Sequence, residues 1–271
     1  MHVLIAGCGW LGLAAARALA ARGDRVTGVR SSPAGAEQLR AAGVEPLVLD
    51  LADPASAERL PADLDAILAL QAARGGGEPA YHRAYLDANA TLLAARPRVR
   101  AFVYTGSTGL FGQRDGSDVD EATPPAPTTP EGLVLAEAER RLLAADARVL
   151  RLSGLYGPGR LWVLDGVASG RMGLGPGDGA WMNSCHQDDA VTALLAVLDR
   201  GRDGAVYHGT DAWPLRRREV VAFVAARRGL EPAAVAAAPG PDRRVLGART
   251  REELGFNLRW PSLLEGLEPF L

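Results

Sequence analysis

Through its first half the chain alternates short apolar runs of β character with alanine-rich stretches whose apolar residues recur at helical spacing. That alternation is the pattern of βαβ units on a parallel sheet. Val3–Ala6, Arg25–Val29, Glu45–Leu49, Ala66–Leu70 and Ala101–Thr105 predict strands. Leu11–Arg22, Ala34–Ala42, Ala55–Leu60 and Tyr81–Ala95 predict the helices between them. From Gln113 to Pro130, Asp, Gly, Thr and Pro displace any periodicity. Proline withholds the donor a helix interior needs, so this stretch predicts a loop rather than an element. A helix over Leu133–Ala145 and a strand over Arg148–Ser153 follow, then a glycine-dense loop at 170–179. A helix over Asp188–Leu198 and a strand over Ala205–His208 return to the sheet, and residues beyond 211 read as mixed helix and loop.

The first turn of this pattern carries chemistry. Gly7-Cys8-Gly9-Trp10-Leu11-Gly12 leaves the first strand and opens the first helix. In that context the first glycine permits a tight turn, the second admits a pyrophosphate, and the third lets helix pack on strand. Trp10 and Leu11 start the helix, whose N-terminus supplies a positive dipole and N–H groups to the phosphates. The expected architecture is α/β, a Rossmann-type doubly wound parallel sheet with a small C-terminal substrate lobe. Residues 1–160, joined by the helix and strand within 188–209, would form the dinucleotide-binding domain. Residues 161–187 and 210–271 would form the lobe that covers the substrate.

The end of the second strand bears on the choice of dinucleotide. An acidic residue there would hold a ribose 2′-hydroxyl, whereas this strand ends in Arg30-Ser31-Ser32. A guanidinium and a hydroxyl suit a 2′-phosphate, so NADP(H) is favoured over NAD(H). Asp50 closes the third strand and is placed to meet the adenine edge. Leu70 and Gln71 close the fourth and should line the path to the nicotinamide.

Composition narrows the rest. The chain has 271 residues, 48% hydrophobic and 23% charged, with a formal net charge of −2. Nothing in that balance favours nucleic acid. No apolar run approaches the roughly 20 residues of a membrane span. Two cysteines give neither a disulfide framework nor a metal site. Met1 leads straight into the first strand, so a cytoplasmic protein is expected, with a small molecule as partner and a homodimer allowed for. No lysine occurs anywhere; the positive charge is all arginine.

Several segments resemble the extended short-chain dehydrogenase/reductases, the NAD-dependent epimerase/dehydratase-like group. Phe102-Val103-Tyr104-Thr105-Gly106-Ser107-Thr108-Gly109 resembles that group's fifth strand and active-site serine turn. Arg151-Leu152-Ser153-Gly154-Leu155-Tyr156-Gly157-Pro158 resembles its sixth strand and the turn beside the nicotinamide. Asn183-Ser184-Cys185-His186-Gln187-Asp188-Asp189 resembles its stretch where a substrate loop enters a helix. The short glycine motif is similar to an atypical branch of the group. The resemblance implies a cofactor-dependent oxidoreductase or epimerase acting on a small polar or sugar-like molecule.

The same resemblance exposes a vacancy. The group's Tyr-x-x-x-Lys pair should open the helix after the Pro-rich stretch, four residues ahead of a glutamate that Glu139 matches. Glu131 then stands where the tyrosine belongs and Leu135 where the lysine belongs. The usual proton chemistry, in which lysine lowers the tyrosine pKa, is therefore absent. Ser107, Tyr156 and Glu131 are the catalytic candidates that remain. Thr108, Trp181, Asn183 and His186 are the substrate-binding candidates, His186 because it titrates near neutrality. Packing or helix capping is the competing reading for His186, as core packing is for Trp181. An intact binding loop without the pair also fits a non-catalytic NADP(H) sensor, the rival function.

Overall fold

Val3-Leu4-Ile5-Ala6 and Ala66-Ile67-Leu68-Ala69 are apolar at every position, and every one of these residues is buried. Continuous apolar runs of this kind fit only central strands covered on both faces. The computed structural model describes residues 1–73, 75–95, 99–236 and 240–271. In chain order its elements begin with β1 (His2–Ala6), α1 (Trp10–Ala21), β2 (Arg25–Arg30), α2 (Pro33–Ala41), β3 (Glu45–Val48) and β4 (Ala66–Ala69). Next come α3 (Glu78–Tyr81), a π-helical turn (His82–Asp87), α4 (Ala88–Ala94), β5 (Ala101–Ser107), β6 (Arg114–Val119), α5 (Pro130–Leu143) and β7 (Arg148–Leu152). They continue with β8 (Gly154–Tyr156), α6 (Trp162–Ala168), β9 (Trp181–Met182), β10 (Ser184–His186), α7 (Gln187–Arg200) and β11 (Val206–Gly209). The last are β12 (Leu215–Arg216), α8 (Arg217–Arg228), β13 (Asp242–Val245), α9 (Ala248–Leu254) and α10 (Leu263–Leu267).

Among the described residues, a seven-stranded sheet runs in the order β11-β7-β5-β4-β1-β2-β3. The pairs β3–β2, β2–β1, β1–β4 and β4–β5 are parallel. This is the doubly wound α/β architecture that the alternation predicts. The strand order reverses between β1 and β4, where such sheets open their ligand crevice.

Two compact units divide the chain. The first comprises Met1–Leu110, Pro127–Arg151 and Ala193–Tyr207; the second comprises Phe111–Ala126, Leu152–Thr192 and His208–Leu271. Each has its own core. In the first, Leu4, Ala6, Val29, Ile67, Ala69, Phe102, Tyr104 and Val149 pack with Leu92 and Leu142 of the covering helices. In the second, Tyr156 joins Val163, Leu164 and Val167 of α6, Val220, Val221 and Val224 of α8, and Leu263 and Leu267 of α10.

Three local expectations are revised. The 113–130 stretch holds a strand, β6, paired in parallel with β13 (Arg114 opposite Asp242, Val119 opposite Val245). Its sequence, Arg-Asp-Gly-Ser-Asp-Val, is polar, and only its last residue, Val119, is buried. Its ladder partner lies far downstream, so no local period announces it. The predicted helix over 55–60 is a 3₁₀ turn, Pro54–Arg59, and the one over 81–95 is interrupted by the π-helical turn at His82–Asp87. No helix among the described residues is long and apolar enough to cross a membrane.

Candidate functional site

The glycine loop is shaped by what lies behind it. Gly7 has φ +76°, and a Cβ there would sit 2.3 Å from Gln71 Cα. Only glycine tolerates both that φ and that approach. A Cβ at Gly12 would lie 3.1 Å from Ile5 Cγ2, so α1 seats directly on β1. The α1 N-terminus carries no side-chain cap and no acidic residue in its first turn. Its positive end is therefore kept for an anion. Trp10 and Leu11 form that first turn, Leu11 buried. Cys8 is buried against Gly28, and burial pushes its thiol up to about 12, so it is neutral at physiological pH.

Arg30, the last residue of β2, lies along this loop. Its Nη1 donates to the Cys8 carbonyl at 3.2 Å, and its Nη2 donates to Gln38 Oε1 at 3.4 Å. Cβ atoms at Gly9 and Gly35 would fall 3.2 Å from Nη1 and 2.6 Å from Nε, so two glycines make room for the guanidinium. Its Nε is buried without a partner. Ser31 is exposed beside it, and Ser32 caps α2 by accepting from Gly35 N. Asp50 accepts from Ala52 N at 3.0 Å through one oxygen and from Arg83 Nη2 at 2.8 Å through the other. Leu70 is buried, its N–H donating to the Ala6 carbonyl at 2.8 Å. Gln71 donates through Nε2 to Asn89 Oδ1 at 2.8 Å, while its Oε1 is buried without a partner. A glycine cradle, an uncapped helix N-terminus and orphaned groups on Arg30 and Gln71 fit a dinucleotide.

At the end of β5, Ser107 Oγ accepts from Gly109 N at 3.0 Å. With that lone pair occupied, its proton is available for an acceptor. Thr108 is buried in the 3₁₀ turn that follows. On α5, Thr129 caps the helix by accepting from Gly132 N at 3.1 Å, and Glu131 lies in the first turn, where the dipole favours a carboxylate. Leu135, in the vacant lysine position, is a core residue at 6% exposure. One turn later, buried Glu139 takes a two-pronged bond from Arg151 of β7, Nε at 3.0 Å and Nη2 at 2.6 Å. Gly106 lies over this pair: a Cβ there would be 3.6 Å from Glu139 Oε2.

In the second unit, the structure brings Tyr156 and His186 together and occupies the Tyr156 hydroxyl and the His186 Nδ1. The Tyr156 hydroxyl donates to the Ser262 carbonyl at 3.4 Å and is pressed so closely on Gly266 that no Cβ fits there. Burial, with the nearby carboxylates of Asp211 and Asp189, pushes its pKa well up. The His186 ring lies 5.2 Å from Tyr156 and 5.3 Å from Trp260. Its Nδ1 accepts from Asp188 N at 3.1 Å, and burial lowers its pKa, leaving it neutral near pH 7. Asn183 ties down β13 at both ends, donating to the Arg243 carbonyl at 2.9 Å and accepting from Val245 N at 2.7 Å. Half-buried Trp181 carries the Arg216 guanidinium 3.6 Å over its ring and donates to the Gly116 carbonyl.

Geometry adds groups that no sequence signal marks. Asp211 is buried after β11 and accepts from Ser184 Oγ at 2.7 Å and Thr210 Oγ1 at 3.2 Å. Burial pushes it up to about 7 despite those bonds. Asp189 accepts from the N–H groups of Arg259 and Trp260. A carboxylate after a strand or at a helix start reads as ordinary turn chemistry, so neither stands out. Among the described residues no group of three His, Cys, Asp or Glu side chains is arranged to hold a metal.

Comparison with known proteins agrees with this geometry. Residues 3–208 match the NAD dependent epimerase/dehydratase family. Protein YeeZ of Escherichia coli K12 is 32% identical over 277 residues, covering 97% of each chain. A ketoreductase of a farnesylated quinoline oxide from Stigmatella aurantiaca is 26% identical over 242 residues, 83% of this chain and 72% of the other. Among solved structures, a conserved protein of unknown function from Silicibacter pomeroyi superposes with TM-score 0.80 at 31% identity, covering 98% of this chain and 96% of that one.

Proposed function

The chain belongs to the NAD-dependent epimerase/dehydratase family, and on that premise we propose that it is an NADP(H)-dependent oxidoreductase or epimerase. Its substrate is a small polar or sugar-like molecule bearing a carbonyl or secondary alcohol. The observation that carries the cofactor half is the glycine loop, with Gly7 held against Gln71 and an uncapped α1 N-terminus above it. Arg30, Ser31 and the α2 N-terminus receive the 2′-phosphate, and Asp50, Leu70 and Gln71 lie along the rest of the molecule. The bound cofactor would supply hydride chemistry.

This chain's own part is to bind and orient. Ser107, whose acceptor side is taken by Gly109 N, donates to the substrate oxygen. Glu131 is the nearest candidate in the helix that should hold the tyrosine and lysine. Tyr156 is the weakest of the three, because its hydroxyl is already bonded to Ser262. Of the substrate-side residues, Thr108 follows Ser107 directly and Trp181 offers a half-buried ring. Asn183 and His186 act by fixing the backbone on either side of Ser184 and Cys185. Carbonyl reduction gains support from the S. aurantiaca relative, named as a ketoreductase.

A second reading rests on Leu135: with a buried leucine in the lysine position, the protein binds NADP(H) without turnover and acts as a sensor. Fluorescence titration with NADPH and NADH tests the cofactor claim. NADPH should bind about tenfold more tightly, and Arg30→Ala should erase the difference; equal affinities in the unaltered protein overturn the NADP(H) preference. NADPH consumption over a panel of keto-sugars, ketones and aldehydes separates enzyme from sensor. Turnover that falls by roughly a hundredfold in Ser107→Ala supports the enzyme. Tight binding with no turnover on any member of the panel supports the sensor.

A further inference from the structure

With a buried leucine at position 135 and no lysine in the chain, a proton for a substrate oxygen has to come from a group other than the usual pair. The chain has five tyrosines. Tyr104, Tyr156 and Tyr207 are sealed at 1% exposure or less. Tyr81 and Tyr85 are only half-buried. They stand one turn apart, at the end of α3 and in the π-helical turn that follows it. Both pack on Val134 and Ala138 of α5, and Val134 adjoins the vacant lysine position. A tyrosine pair on the facing segment therefore lies against the part of α5 that lost its own.

Tyr85 is the inner of the two. Its ring meets Tyr104 edge-on, with 6.5 Å between centroids, while Tyr81 lies 5.3 Å from Tyr85. The Tyr104 ring in turn lies against Gly106, where a Cβ would fall 3.3 Å from Cε1, and Ser107 is the next residue. The Tyr85 hydroxyl oxygen accepts from the Ala73 N–H, in the loop that leaves β4. Gln71 of the same loop backs Gly7. Since β4 stands between β1 and β5 in the sheet, this loop opens between the glycine cradle and Ser107. Thr105 Oγ1 donates to the Ala69 carbonyl at 3.3 Å, drawing the β5 and β4 exits together. An N–H aimed at the hydroxyl oxygen leaves its proton free to be given and stabilises the phenolate left behind. That is part of what lysine does in the usual pair. Burial acts the other way and keeps Tyr85 protonated near neutrality. Tyr85 also lies inside the π-helical turn, an irregularity that is rare and concentrated at functional sites.

We propose that Tyr85 is the proton donor of the reaction, a tyrosine supplied from the segment after β4 in place of the one missing from α5. This rests on the oxidoreductase reading above. As a hydride reaches the carbonyl carbon of the substrate from the bound cofactor, the π electron pair moves onto the oxygen. The Tyr85 Oη–H bond breaks, its proton joins that oxygen to give an alcohol, and the phenolate recovers a proton from water. Tyr85→Phe keeps the ring and removes the proton. On the full chain, kcat with a substrate from the panel should fall roughly a hundredfold or more, while KM and NADPH affinity stay within about twofold. Tyr81→Phe should keep its kcat. A readout free of turnover uses the chain with nitrotyrosine at position 85, whose coloured phenolate titrates nearer neutrality. Bound NADP⁺ should lower its titration midpoint by roughly one pH unit relative to NADPH, because a phenolate beside the nicotinamide gains its positive charge. Unchanged kcat in Tyr85→Phe, or equal midpoints with the two cofactor forms, overturns this inference alone. So does a loss of NADPH affinity that matches the loss of kcat, which would make Tyr85 a support of the loop. Tight NADPH binding with no turnover on any member of the panel removes the oxidoreductase reading, and this inference with it.

Discussion

Asp211 shows how one side chain can carry a pH dependence. Its carboxyl is buried and its pKa is raised to about 7, chiefly by burial, against an ordinary value near 4. The native state then holds a proton that the unfolded chain has released. Such a group's contribution is fully present below the unfolded pKa and is lost as pH rises through the folded one. Stability should fall between about pH 4 and pH 7 by this route. Denaturant midpoints across that range should slope less in Asp211→Asn than in the unaltered protein; parallel slopes would remove the assignment. At Gly7, substitution by alanine should abolish NADPH binding, since the added Cβ meets Gln71 backbone rather than a side chain that can swing away. Titration with NADPH checks it. These two positions differ in legibility. Gly7 is visible in sequence because strand, glycine and helix follow one another within ten residues. Asp211 is not, since its burial depends on Ser184 and Thr210 closing around it.

At the scale of an element, α5 decides how the missing lysine should be understood. The helix keeps its expected place, its cap at Thr129 and its Glu139, yet position 135 faces the core. The vacancy is thus filled by packing, and returning a lysine there would bury an ammonium. Leu135→Lys should lower stability by about 2–4 kcal/mol, whereas Leu133→Lys, at a position 60% exposed, should change it little. Thermal midpoints of the two variants decide it. Glu139 of the same helix and Arg151 of β7 are each only 3% exposed, and removing Arg151 leaves Glu139 a buried carboxylate without its guanidinium. Arg151→Met should cost about 3–5 kcal/mol, read in urea unfolding. The strands and helices around α5 were predictable because each buries a face with its own period. The polar ladder of β6 with β13 was not, because its stability comes from pairing across distant sequence.

For the whole molecule, the alternating pattern of the first half carries over into a parallel sheet with its strand-order reversal between β1 and β4, and this half carries the proposed cofactor site. The second unit is harder to read from sequence. Its short strands, of two or three residues in β8, β9, β10 and β12, leave too few positions for any period to register. Its cohesion comes instead from side chains that tie backbone to backbone: Asn183 to β13, Asp189 to Arg259 and Trp260, and Glu121 to Thr250. Residues of this kind look like binding groups in a motif because they are polar and sit at fixed spacing. Asn183 and His186 are two such cases: both polar atoms of Asn183 and the Nδ1 of His186 are taken by the chain itself.

The two cysteines fall one to each unit, Cys8 in the first and Cys185 in the second, both buried as free thiols. Burial also raises Cys185 well above its ordinary range. A thiol-reactive dye therefore meets neither sulfur until the surrounding structure opens. Pulsed labelling followed by peptide mass analysis becomes a pair of independent clocks, one for the opening of each unit. NADPH should slow the Cys8 clock by damping fluctuations of its own loop. Whether the Cys185 clock slows as well would measure how far that protection spreads.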